Sequence, residues 1–291
     1  MKPAAFEYHA PVDPEETVAL LARLGDEAKV LAGGQSLVPM LALRLAAFGH
    51  LVDLRRVKGL PGIEHRGGVV RIGATTTQAA VERSDVVRDA APLLARATPL
   101  IGHFQIRSRG TVGGSLAHAD AAAEYPAVAL TLDARLETLS PRGRRTVPAD
   151  RFFTGTWSTD LAEDELLTAV ALPVWHRPRG FAVAEFARRS GDFALAGATV
   201  AVGLGPDRRI DRCAIAVFGL GPVPCRARAA ERELIGREPT TEAAGDIADL
   251  AVSGLDSVPA DLHGSAGYRK RVGAAMVARA WRHAVREAVH D

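Results

Sequence analysis

The sequence predicts an α+β protein in two domains. Three observations carry that reading. In the first half, short β-branched runs alternate with short helical stretches. A stretch with two prolines, "PVWHRPRG" (173–180), then marks a boundary. Beyond it, two long strand-like runs precede three helical ones.

Taken in order, Asp13-Pro14-Glu15-Glu16 reads as a helix start: an N-cap, a proline in the first turn, then acids against the dipole. Val18, Leu21 and Ala22 supply its apolar stripe. The chain resets at Gly25 and runs through a strand-like "KVLAG" into Gly33-Gly34. "HLVDL" (50–54) and "VVRIGATTT" (69–77) are further strands. "TQAAVERSDVVRDAAPLLARAT" is helical in composition, broken near Pro92 and Pro99. A loop follows, then a second Gly-Gly turn at 113–114, a helix over about 120–133, and a strand through Leu136 and Leu139. Pro126 either begins that helix or kinks it.

After the boundary, "GATVAVGL" (197–204) and "RCAIAVFGLG" (212–221) read as antiparallel strands. Helical stretches cover 226–237, 241–253 and 266–288. In the last, Val272, Met276, Ala280 and Ala284 recur every four residues opposite basic positions, the pattern of a packed helix face. No internal repeat is present.

Composition excludes several classes. The 36 basic and 34 acidic residues leave a net charge of +2, which gives no footprint for nucleic acid. Arg142, Arg144 and Arg145 are the one local basic cluster and read as a solvated loop. Two cysteines, Cys213 and Cys225, make no disulfide framework and cannot furnish a four-cysteine cluster. The opening "MKPAAFEYHAP" has no apolar signal core, and no apolar run reaches transmembrane length. A cytoplasmic protein is expected.

The chemistry-bearing pattern is a pair of glycine turns. "VLAGGQSLVPML" (30–41) and "RGTVGGSLAHAD" (109–120) share one grammar: an apolar residue, Gly-Gly, then serine. Such a turn either simply reverses the chain or lets successive N–H groups gather phosphate oxygens. Two nests brought together would clamp a diphosphate, with hydroxyls of Ser36, Ser115 and Thr111 completing the hydrogen bonds. No lysine follows either turn, so a P-loop is excluded. "GLGPDR" and "GLGPVP" lack the third glycine of a dinucleotide fingerprint. His103, His118 and His176 fall into no Ser–His–Asp order or metal-ligand spacing. No catalytic or metal-ligating residue is expected.

At these residues the chain resembles a known family. "AGGQSLVPMLALRLA", "GHFQIRSRGTVGGSLAHADAAAEYPAVAL" and "DLHGSAGYRKR" are similar, in order and over nearly the whole chain, to the FAD-binding medium subunit of molybdenum hydroxylases. That family includes the carbon monoxide dehydrogenase flavoprotein and the flavin domain of xanthine dehydrogenase. The resemblance implies an FAD domain of the para-cresol methylhydroxylase type over residues 1–175, with subdomains of about 1–55 and 56–175. A C-terminal domain over 176–291 would hold a three-stranded antiparallel sheet and a helical bundle.

The resemblance also assigns residues. Ala32, Gly33, Gly34, Gln35 and Ser36 would bind the FAD diphosphate from one side, and Thr111, Gly113, Gly114 and Ser115 from the other. Glu124 would be an acid contacting the adenosine part, or else an exposed helix-surface acid. Leu37 and Ile101 match apolar positions near the flavin, which core packing would equally explain. Phe193 would lie over the isoalloxazine, or else be a buried core residue. Ala121 stands where a proline is common, and Ser108 where an asparagine is common, changes of loop stiffness rather than chemistry. Neither Gly33–Ser36 nor Thr111–Ser115 holds a histidine or cysteine, so the flavin would be non-covalent.

The implied function is an electron relay's last leg. A molybdopterin-binding large subunit would hydroxylate substrate, a [2Fe–2S] small subunit would pass electrons on, and this chain's FAD would deliver them to NAD, quinone, oxygen or a carrier protein. The alternatives are a free-standing flavoprotein reductase of the same fold, such as a UDP-sugar enolpyruvyl reductase, and a non-catalytic assembly protein.

Overall fold

The structure, a computed structural model, describes residues 2–291. Strands β1 (Glu7–His9), β2 (Ala28–Leu31) and β3 (His50–Asp53) make a small parallel sheet in the order β1-β3-β2. Helix α1 (Pro14–Leu24) begins where the sequence marks it: the Asp13 carboxylate accepts from the Glu16 N–H at 2.7 Å. Its Val18 packs with Leu54, Val57 and Leu60, and with Leu139 and Leu166 of the next sheet. That satellite core docks the small sheet on the large one.

The large sheet is antiparallel. Its strands are β4 (Ile63–Arg66), β5 (Val69–Gly73), β6 (Arg135–Ser140), β7 (Gly143–Pro148) and, after a hairpin of β8 (Phe153–Gly155) and β9 (Ser158–Thr159), β10 (Leu166–Pro173). The order is β4-β5-β10-β6-β7. Arg142, Arg144 and Arg145 do not form the expected solvated loop. The last two lie on edge strand β7, and Arg142 bonds Asp164 at 2.5 Å while Arg145 bonds Glu165 at 2.6 Å and Asp160 at 2.7 Å. Charge on an edge strand also discourages pairing with another chain.

Short helices fill the connections: α2 (Leu37–Ala42), α3 (Gln78–Glu82), α4 (Asp85–Ala90), α5 (Pro92–Ala97), α6 (Phe104–Arg107), α7 (Val112–His118), α8 (Glu124–Thr131) and α9 (Ala149–Phe152). The helical composition around 77–98 is three pieces because Thr77 and Ser84 each cap a new start and Pro92 opens a third. The helix expected over 120–133 is only α8. Ala119 turns left-handed at φ +51° to close α7, and Asp133 does so at +52° just beyond α8. Pro126, third in α8, occupies a position whose N–H would have had no helical partner.

The C-terminal part has three long antiparallel strands, β11 (Arg179–Phe186), β12 (Ala196–Leu204) and β13 (Ile210–Phe218), to which the two-residue β14 (Cys225–Arg226) adds a fourth. Helices α10 (Arg228–Leu234), α11 (Ala244–Ser253) and α12 (Ala266–His290) cover it. At Gly180 of β11, a Cβ would nearly coincide with the Ala284 carbonyl oxygen of α12, so glycine sets that contact. The buried stripe of α12 is Gly273, Val277, Ala280, Trp281, Ala284, Val285 and Ala288. Val272 and Met276 sit at its flank, because an every-four spacing drifts about 40° per step around a 3.6-residue helix.

The two halves share a core. Phe181, Ala201, Ala214 and Ala216 cluster with Val128, Leu132 and Trp175. The hydroxyls of Thr131 and Thr199 meet at 2.7 Å, and Arg96 forks onto Glu287 at 2.5 and 2.6 Å. No helix among the described residues is long and apolar enough to cross a membrane.

Candidate functional site

The first glycine turn leaves β2 and enters α2. Gly34 takes φ +73°, which favours glycine, and the Gln35 amide donates to the Gly33 carbonyl at 3.0 Å. The backbone N–H groups of Gly33, Gly34, Gln35, Ser36 and Leu37 find no acceptor among the described residues. Ser36 makes no capping bond with its hydroxyl. All of these residues are half-buried. Consecutive free amides in a half-buried concavity form an anion nest.

The second turn is built differently. It is gripped by the segment that follows β5: the Gln78 N–H donates to the Gly110 carbonyl at 2.8 Å, Val112 to Thr76 at 3.0 Å and Gly113 to Ala74 at 2.8 Å. Thr111 then caps α7, its Oγ1 accepting from Gly114 at 3.0 Å and its carbonyl from Ser115 at 3.1 Å. The amides of Gly113, Gly114 and Ser115 are therefore already engaged, and a second free nest is not formed. What this turn offers is close approach and hydroxyls. A Cβ on Gly113 would come within 2.5 Å of the Ala74 Cβ.

The structure brings the two turns together. A Cβ on Gly33 would lie 2.3 Å from the Arg109 carbonyl oxygen and 2.8 Å from the Gly110 Cα. One on Gly114 would lie 3.3 Å from the Ala32 Cβ. Glycine is what lets the two backbones touch.

Ile101 and Phe193 belong to two loops that meet. Gly191 packs on the loop beside Ile101, where its Cβ would meet the His103 ring at 2.9 Å and Gly102 at 3.1 Å. Phe193 is 61% exposed, which excludes the core alternative. It lines a groove of about 510 Å³ with Asp120, Ala121, Arg188, Leu195 and Arg269. Ile101 packs against the edge of the main core, and Leu37 opens α2.

Glu124 is neither exposed nor an ordinary carboxylate. It is 5% exposed, and burial first, then the neighbouring Glu185, pushes its pKa up to about 8. Burial raises Glu185 to about 7. A neutral carboxyl at pH 7 can donate a hydrogen bond, which the acceptor carboxylate expected from sequence cannot.

Sequence reasoning passed over Asp120 and the clamp under the Phe193 loop. Asp120 accepts from the Ala122 N–H at 2.8 Å and the Trp157 indole N–H at 3.1 Å. Arg269 of α12 donates to the Leu195 carbonyl at 2.9 Å and to Asp261 at 2.6 Å, and Arg188 meets the His263 ring at 3.0 Å. The signal was present in "DLHGSAGYRKR", whose Asp261, His263 and Arg269 turn out to hold that loop.

A half-buried amide nest abutting a capped helix start defines a protein built to bind a phosphate-bearing ligand. Comparison with known proteins narrows the class. Residues 4–175 match the family described as FAD binding domain in molybdopterin dehydrogenase, and 181–284 match CO dehydrogenase flavoprotein C-terminal domain. The chain is 39% identical to the carbon monoxide dehydrogenase medium chain of Hydrogenophaga pseudoflava, over 96% of this chain and 97% of that one. It is 43% identical to the nicotine 6-hydroxylase medium subunit of Paenarthrobacter nicotinovorans, over 92% and 93%. A solved carbon monoxide dehydrogenase from Hydrogenophaga pseudoflava superposes with a TM-score of 0.95 at 40% identity, covering 99% of each chain. Quinoline 2-oxidoreductase from Pseudomonas putida 86 does so with 0.93 at 35%, also over 99% of each.

The chain belongs to the FAD-binding, carbon monoxide dehydrogenase flavoprotein family of molybdopterin dehydrogenase subunits. FAD is its cofactor, and it is a flavoprotein subunit of an oxidoreductase. The site fits that cofactor: free amides beside a glycine with no room for a Cβ suit a diphosphate.

Proposed function

We propose that this chain is the FAD-carrying electron-transfer subunit of a molybdenum hydroxylase complex, taking electrons from [2Fe–2S] clusters of a small partner subunit and passing them to an external acceptor. A molybdopterin-binding large subunit is the further partner. The observation that carries the reading is the unengaged run of amides at 33–37 against the Gly114 turn. Bound FAD supplies the redox chemistry, accepting electrons singly and releasing them in pairs.

The chain's own residues bind and orient. Ala32 to Ser36 hold the diphosphate through backbone N–H groups, with the Ser36 hydroxyl adding a bond. Thr111, Gly113, Gly114 and Ser115 form the opposing wall, and Leu37 and Ile101 exclude water nearby. Phe193 presents its face to the ring system, and Glu124, at the start of α8, contacts the adenosine part. No side chain acts as acid, base or nucleophile, and the FAD is held non-covalently. Residues 1–175 form the FAD domain and 176–291 the C-terminal one. Support comes from relatives that are named medium chains or subunits of dehydrogenases and hydroxylases. With two cysteines, the chain needs its clusters elsewhere.

Co-purification with its partners tests this. The complex should contain FAD, iron and molybdenum in fixed ratio, and the double variant Gly34→Val/Gly114→Val should lose FAD while molybdenum stays. Retained flavin in the double variant, or a chain that purifies colourless with its partners, overturns the reading.

A further inference from the structure

Away from the glycine turns, the small sheet gathers a second set of chemistry-bearing side chains. The parallel register sets Glu7 of β1 beside His50 of β3, and His9 lies two residues along β1 on the same face. His9 Nε2 is 3.1 Å from His50 Nδ1. Glu7 Oε2 is 3.4 Å from His50 Nδ1 and 4.0 Å from His9 Nε2. Tetrahedral ligands at zinc bond lengths stand about 3.4 Å apart, so the three separations bracket the required edge. The two rings are tilted by 45° at a centroid distance of 5.2 Å, so they are not stacked.

Two further observations fit a ligand. The other nitrogen of His50, Nε2, has Glu27 Oε2 at 3.9 Å, beyond hydrogen-bond length but near enough to add negative charge beside the site. The histidine side chains are only 21% and 18% exposed, whereas Glu7 and Glu27 are 74% and 72% exposed. The imidazoles are thus held in place while the carboxylate side stays open for an ion to enter and for water to complete the coordination.

From this geometry we infer a divalent-metal site on β1 and β3, with His9 Nε2, His50 Nδ1 and a Glu7 carboxylate oxygen as ligands. Two imidazoles and one carboxylate suit Zn²⁺ or a neighbouring late first-row ion over Mg²⁺ or Ca²⁺. The site lies at the strand ends opposite the glycine turn. His50 pairs with Ala28, whereas the turn begins beyond Leu31, about 10 Å along β2. Its role is to pin β1 to β3, distinct from holding FAD.

The test is titration of the full, tag-free, chelator-treated chain with Co²⁺ and with Zn²⁺. One Co²⁺ should bind per chain with visible ligand-field absorption, and Zn²⁺ should displace it and raise the unfolding temperature. Glu27→Gln, which removes a nearby charge but no hydrogen bond, should weaken binding by less than about 10-fold. Glu7→Gln and His50→Asn should each weaken it more, with FAD content unchanged. Glu7 is exposed, so its variant reports on binding even if a histidine variant folds poorly. Absence of saturable binding, or equal binding by the Glu7→Gln and native chains, overturns the proposal and leaves a metal-free histidine pair.

Discussion

Gly33 and Arg109 touch backbone to backbone, so closely that a Cβ on Gly33 would lie 2.3 Å from the Arg109 carbonyl oxygen. They are far apart in the chain and belong to turns supported by different sheets. Real Cβ atoms do not tolerate such a contact, so any side chain at Gly33 must push the turns apart. Gly33→Val should therefore purify with far less than one FAD per chain. Its circular dichroism should stay near native, since neither sheet's core is touched. Full flavin occupancy in this variant would show that turn contact is not needed.

Glu124 makes stability depend on pH. Its folded pKa is raised to about 8 from an ordinary value near 4.5. The unfolded chain thus loses that proton earlier than the folded chain does. Stability from this group is complete below pH about 4.5 and declines as pH rises toward 8, by at most about 1.4 kcal/mol per pH unit. Urea midpoints should fall from pH 5 to 7 and by a smaller step from 7 to 9 for the native chain, and both steps should shrink in Glu124→Gln. Glu185, also raised, should leave part of the slope in the variant. Parallel slopes in the two proteins would mean that Glu124 ionises normally.

Arg269 is buried and joins Asp261 to the Leu195 carbonyl. Arg269→Leu leaves both acceptors without their donor. It should lower global stability, chiefly through the Leu195 carbonyl left without its donor, since the Asp261 carboxylate can turn to water. Local effects should be larger, with faster proteolysis between Ala187 and Leu195 and a changed flavin spectrum. A variant as protease-resistant as the native chain would remove the clamp from the account.

Much of the fold was legible because local chemistry set it. The Asp13 cap, the glycine turns and the long strands β12 and β13 follow from capping, φ requirements and β-branched runs. Strands β10 and β11 were not picked out. "LLTAVALP" is an unpatterned apolar run, and "RGFAVAEF" begins inside the stretch read as a boundary. At the site, residue identities were legible but hydrogen-bond accounts were not. That the amides of Val112 and Gly113 are engaged depends on Ala74 and Thr76, nearly 40 residues upstream. The burial of Glu124 and the exposure of Phe193 likewise depend on how distant elements pack, β11 with Glu185 for the first and the Arg269 clamp for the second.

The clamp on the second turn by residues 74–78 has a thermodynamic consequence. The first turn is an extension of the three-stranded sheet, and the second is bolted to the five-stranded one. A cofactor that bonds both turns is a further cross-link between two sheets that otherwise meet through the small cluster around Val18 and Leu54, the Gly33–Arg109 contact and the Arg144–Glu15 ion pair. Its binding free energy then includes the work of docking one sheet on the other. Saturating the site should tighten the joint by linkage, and loosening the joint should weaken binding equally, even through residues that never meet the ligand.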